Sequence, residues 1–174
     1  EQGLRFGPYF KSDFNYQLFL CQNMISHLGV YRTDRVRAVG GFRQGLEGSQ
    51  DYDLALRVIE GLNPRQIGHI PRILYHWRSH RQSTASGNDV KPYAQVAALR
   101  AVKEHLQRSA VRATVESAPQ VATHARVRYI VPEQAPLVEI ILVFPGRPAA
   151  VLRRSVAAII ARTTYPHYRI TLAG

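Results

Sequence analysis

Residues 39–57 read VGGFRQGLEGSQDYDLALR, and this stretch decides the fold. Gly40 and Gly41 end the segment before them, because glycine alone enters positive φ freely. Phe42 gives the returning chain an apolar anchor, and Gly45 and Gly48 keep the next loop pliable. Ser49 stands at an N-cap position for a helix from Gln50 to about Gly61. Stepped at about 3.6 residues per turn, that helix puts Leu54, Val58 and Leu62 in one stripe, flanked by Ala55 and Ile59. Asp51 falls on the same side. Asp53 falls opposite, one turn before Arg57 and near Glu60. It is expected to be Arg57's solvated partner, a pairing worth about 0.2–0.5 kcal/mol. A bare carboxylate among apolar residues is costly. Asp51 therefore either caps its own helix or faces a cleft, a metal or a hydrogen-bond partner.

Outward from this stretch the chain alternates helix and strand signals. Lys11–Leu20 has the mixed spacing of a short helix, and His27–Arg32 reads as a strand. Thr33 opens a helix that the glycine pair ends. After Asn63-Pro64, a turn signal, Ile67–Ile70 and Arg72–Arg78 read as two short strands split by Pro71. Ile73, Tyr75 and Trp77 alternate on one face, leaving His76 and Arg78 on the other. Residues 79–89 are a loop by composition. Pro92 sits at a favourable N1 position for a helix to about Arg108, with Val96, Leu99, Val102 and Leu106 as its buried stripe. Residues 109–123 read as a linker with weak strand character, and residues 124–131 alternate as a strand. Leu137–Phe144 is an apolar run broken only by Glu139, which suits a buried strand. A helix at Ala149–Thr163 and a strand at Tyr168–Ala173 complete a βαβ unit.

Three segments in this order resemble the acceptor-side half of family 2 glycosyltransferases. They are SHLGVYRTDRVRAVGG (residues 26–41), GGF followed by a short loop and QDYDLALR, and IGHIPRILYHWRSHRQSTA (residues 67–85). The resemblance covers roughly residues 8–86. It implies an α/β chain with the GT-A fold, a Rossmann-like fold of nucleotide-diphospho-sugar transferases, here incomplete. The family's metal-binding Asp-x-Asp belongs to a donor half expected to precede Glu1. Asp51–Tyr52–Asp53 has those letters but sits on the acceptor helix. PLVEIILVFPGRP and RTTYPHYRITLAG look like the opening of a second such domain. There Val143, Phe144 and Gly146 stand where the family has Pro, Thr and Asn or Asp, so that copy is degenerate or a scaffold. The expected organisation is an acceptor-side half-domain at residues 1–89, a helical extension and linker at 90–135, and the first βαβ unit of a second domain at 136–174.

The resemblance also implies an activity: inverting transfer of a sugar from a nucleoside-diphosphate sugar to the hydroxyl of a glycan or lipid-linked acceptor. Asp51 matches the family's catalytic base. Gln50, where the family usually has glutamate, and Asp53 and Arg78 fall at substrate-binding positions. His80 matches a histidine that in some members helps to hold the divalent metal, Mg²⁺ or Mn²⁺. His76 is its neighbouring competitor, and a plain surface histidine is the alternative. A non-catalytic scaffold or binding remnant of such an enzyme is the rival reading.

Composition narrows the remaining choices. The 174 residues carry a net charge of +11, which suits polyanions such as sugar-nucleotide phosphates or acidic lipid. The first 89 residues hold 11 Lys/Arg and 8 Asp/Glu, and the rest hold 12 and 4. The excess is scattered, and no helix-turn-helix, zinc-finger or RNA-binding signature is present, so a nucleic-acid partner is not expected. Peripheral contact with an anionic membrane is compatible with the charge. The single cysteine, Cys21, forbids an internal disulfide and fits a reducing compartment. The expected location is cytoplasmic or on the inner face of the cell membrane. No zinc-ligand spacing, Walker loop, GxSxG or HExxH motif occurs. Glu1 is not an initiator methionine, so a fragment or processed product is expected.

Overall fold

The computed structural model describes residues 5–78, 92–146 and 148–174. The chain is mixed α/β and divides into two compact units, Glu1–Ile130 and Val131–Gly174.

The first unit is built around helices. Helix α1 (Tyr16–Cys21) is capped by Asn15, whose side chain accepts from the Leu18 amide at 3.0 Å. Helix α2 (Thr33–Ala38) ends where Gly40 and Gly41 take φ of 78° and 67°. Helix α3 (Gln50–Ile59) follows the glycine-rich loop, and after a 3-10 turn at Pro64–Gln66 comes the long helix α4 (Pro92–Arg108). The hairpin β1 (Ala113–Ser117) and β2 (Ala125–Tyr129) is antiparallel, with Val115 opposite Val127. Phe19 and Leu20 of α1, Tyr52, Ala55 and Leu56 of α3, Val102 and Leu106 of α4, and Ala125 of β2 share one core. The segment expected as a linker thus supplies a hairpin to this unit, and α4 packs directly on α3.

Three local expectations change. Helix α3 is not a one-sided helix, since every residue from Tyr52 to Val58 is buried. It lies between the core on one side and the glycine loop on another, so a single apolar stripe does not describe it. The buried face of α4 is turned from the expected stripe: Ala97, Ala101 and His105 are buried beside Val102 and Leu106, and Val96 is exposed. That face packs on α3, and the buried Ala97 and Ala101 belong to the shared core. Finally, His27–Arg32 and residues 67–78 form no strand. A strand needs a hydrogen-bonding neighbour, and neither segment has one among the described residues. Val30, Ile73, Tyr75 and Trp77 accordingly stay exposed.

In the second unit, β3 (Val138–Val143) pairs in parallel with β4 (Tyr168–Ala173), and α5 (Ala149–Arg162) makes the crossover. Val138 is in register with Tyr168, and Val143 with Ala173. Thr171 donates to Glu139 across the pair at 2.6 Å, and Tyr165 donates to the Pro136 carbonyl at 2.6 Å. Gly146 takes φ of 65° in the loop that leaves β3.

Candidate functional site

Asp51 lies in the first turn of α3, half-buried. Its Oδ2 accepts a hydrogen bond from Asn23 Nδ2 at 2.9 Å. Its Oδ1 has no hydrogen-bond partner among the described residues. One oxygen is therefore held and the other carries no such bond. Tyr31 stands close to this carboxylate. Burial, with a smaller contribution from the Asp51 charge, pushes the Tyr31 hydroxyl up to about 12, so it stays a neutral donor at physiological pH. Tyr31 is held over Gly29: a Cβ there would stand 2.7 Å from the tyrosine oxygen and 3.0 Å from Ile25 Cγ2. Lys11 pins the same loop, donating to the carbonyls of Ile25 at 3.0 Å and His27 at 3.3 Å.

Asn23 and Tyr31 were not legible as site residues in the sequence. The only signal was an amide side chain, within an apolar stretch, that must find a polar partner when the chain folds. The Oδ1 atom of Asn23 is buried and lacks a partner among the described residues.

Asp53 does not sit on the solvated side. Its carboxylate is 0% exposed. Arg57 donates to Oδ2 through Nε at 2.9 Å and through a terminal nitrogen at 2.7 Å. Arg43 grips both oxygens from the glycine loop, through Nε at 3.1 Å and through a terminal nitrogen on Oδ1. Burial raises the carboxyl, but the hydrogen bonds from Arg43 and Arg57 outweigh it and hold it below the ordinary range. The wheel placed Asp53 outside because it counted apolar positions alone, whereas α3 buries an ion pair on its second face. An enclosed carboxylate gripped by two guanidinium groups is no surface for a substrate to touch. Arg57 also donates to the carbonyls of Val39 at 2.5 Å and Gly41 at 2.6 Å, which ties the glycine pair to α3.

The other expected residues are spread out. Gln50 is exposed, and its side-chain oxygen accepts from the Gly48 amide at 2.7 Å, bracing the loop. Ser49 occupies the N-cap position without capping; its hydroxyl donates to the Ala94 carbonyl on α4 at 2.8 Å. Arg78 and His76 are exposed. His80 lies outside the described residues. Among the described residues no group of three or more His, Cys, Asp or Glu is placed to hold a metal ion. Among them, too, no helix is long and apolar enough to cross a membrane.

No family model matches the chain, and no solved structure is similar to it. Two proteins are similar in sequence. A Sinorhizobium fredii (strain NBRC 101917 / NGR234) protein described as "Uncharacterized protein y4gI" is 44% identical over 174 residues, covering 98% of this chain and 18% of that protein. The "O-antigen biosynthesis protein RfbC" of Myxococcus xanthus is 38% identical over 173 residues, covering 99% of this chain and 13% of that protein. The chain spans less than a fifth of the length of either relative.

Proposed function

We propose that this chain carries the acceptor side of an inverting family 2 glycosyltransferase that works in polysaccharide biosynthesis. Similarity to a protein named for O-antigen biosynthesis supports the polysaccharide context. The observation that carries the chemistry is the state of Asp51: half-buried, oriented by Asn23 at 2.9 Å, with no hydrogen bond on its other oxygen among the described residues. A general base must come within hydrogen-bond reach of the proton it takes, and a carboxylate oxygen without a protein partner can do so.

The acceptor is a glycan or lipid-linked sugar, and the donor is a nucleoside-diphosphate sugar. The acceptor hydroxyl oxygen forms a bond to the anomeric carbon as the bond to the diphosphate oxygen breaks on the opposite face. The hydroxyl proton passes to Asp51, and the bonding electrons leave with the diphosphate. Gln50 and Arg78 lie on exposed positions that a substrate can reach. Asp53 acts from inside, by anchoring the loop. A divalent metal, Mg²⁺ or Mn²⁺, when bound supplies charge to the leaving diphosphate. The described residues offer it no ligand set, and Asp51 does its part without one. Replacing Asp51 by Asn in a protein that carries this chain tests the reading. Transfer should fall steeply with the fold intact, and undiminished transfer would refute it.

A scaffold role is the second reading, and the second unit favours it. There the exposed Val143 and the left-handed Gly146 occupy the places of polar nucleotide contacts. Calorimetry with sugar nucleotides against the intact chain separates the two: binding lost on altering residues 143–146 would give that unit a ligand role.

A further inference from the structure

We propose that Arg43 and Glu104 are positioning residues for Asp51, which makes α4 part of the machinery rather than an extension beyond it; this rests on Asp51 being the base. The glycine loop of residues 40–48 is held from two sides. From α3, Arg57 binds the carbonyls of Val39 and Gly41, and Asp53 binds Arg43. From α4, Glu104 accepts at 2.7 Å from the same Arg43 terminal nitrogen that binds Asp53 Oδ1. Arg43 therefore bridges a carboxylate that is closed to solvent and one whose side chain is 24% exposed.

Arg100 completes the clasp, donating to Glu104 at 2.7 Å and reaching the Gly45 carbonyl at 3.4 Å. Further along, Ser49 is tied to the Ala94 carbonyl at 2.8 Å. At Gly48 there is no slack: a Cβ would stand 2.7 Å from the Ala94 Cβ and 3.1 Å from its Cα. Asp51 comes two residues after Ser49, and among the described residues Asn23 is the hydrogen-bond partner of its side chain. Its direction is set by the first turn of α3, and that turn is set by where α4 holds Gly48 and Ser49. A shift of α4 therefore carries Asp51 with it.

The test uses Glu104→Gln in the chain, with Glu104→Asp as the conservative rescue and Asp51→Ala as the reference for a lost Asn23 contact. Amide hydrogen exchange follows residues 44–49, and ¹⁵N NMR follows the Asn23 side-chain amide. Removing a partly exposed ion pair should speed loop exchange about 2- to 5-fold. It should also move the Asn23 signal toward its position in Asp51→Ala, and Glu104→Asp should restore both. A looser loop with an unmoved Asn23 signal would overturn the proposal, since Glu104 would then be structural alone; so would an unchanged loop. In transfer assays, Glu104→Gln should lower kcat and leave the donor KM unchanged, and a change confined to donor KM would also overturn it. Transfer surviving Asp51→Asn while the Asn23 signal still answers to Glu104 would count against the base and leave the brace standing.

Discussion

Asp53 and Arg57, one turn apart on α3, form an ion pair shut away from water, with Asp53 0% and Arg57 7% exposed. The same spacing on an exposed helix is worth a few tenths of a kcal/mol. Enclosure changes its meaning, because removing one partner strands a charge in a medium that cannot solvate it.

Stability should therefore separate the two aspartates. Asp53→Asn is expected to cost about 3–5 kcal/mol, since among the described residues Arg57 then has no carboxylate partner and Arg43 keeps only Glu104. Asp51→Asn should cost less than about 1 kcal/mol, because its side chain is half-buried and holds one hydrogen bond. Urea unfolding of both variants decides this. Equal losses would contradict the division of labour.

Acid should weaken the first unit through the same network. Asp53, Glu60 and Glu104 all have carboxyls held below their ordinary values of 3.8 and 4.5. In each case burial pushes the carboxyl up and arginine hydrogen bonds outweigh it; His105 adds to them at Glu60. A depressed folded value stabilises fully above the unfolded value and is lost as the pH falls through the folded one. The contribution of these three carboxyls to the unfolding free energy should be flat above about pH 5 and fall progressively below the ordinary carboxylate range. Asp53→Asn should reduce that dependence, and an unchanged acid slope in this variant would exclude Asp53 as its source.

Two glycines should respond differently to alanine. Gly40 has φ of 78° with nothing within 4 Å of a built Cβ, so Gly40→Ala meets only backbone strain, about 1–2 kcal/mol. Gly48 has φ of 87° and would also press its Cβ into α4, 2.7 Å from Ala94. Gly48→Ala should cost more than Gly40→Ala and should alter exchange in α4. Thermal unfolding with exchange of the residue 92–100 amides checks both effects.

The helices were legible because their punctuation is local. The Gly40–Gly41 pair and Pro92 mark ends without reference to tertiary structure, whereas the first helix, expected from Lys11, starts only at Tyr16 behind the Asn15 cap. The βαβ pattern of residues 138–173 was legible for the same reason: a near-continuous apolar strand, helical spacing, then a strand. Strand character at residues 67–78 was misread, because alternation in Ile73, Tyr75 and Trp77 reports a face suited to packing, not the presence of a pairing neighbour. In the site, Asp51 stood out by its letters and Asn23 did not. Their 2.9 Å contact joins residues 28 positions apart, and no pattern in one sequence reports that. Asp53 was misplaced for a related reason. Its partner Arg43 lies in a loop, so a helical wheel cannot count it.

The most direct test is the rate of sugar transfer by Asp51→Asn in a protein that carries this chain, measured at saturating donor alongside its unfolding midpoint. The expected result is a kcat lower by about 10²–10⁴, with the midpoint unchanged. A folded Asp51→Asn variant that transfers sugar at the wild-type rate would contradict the assignment of Asp51 as the base.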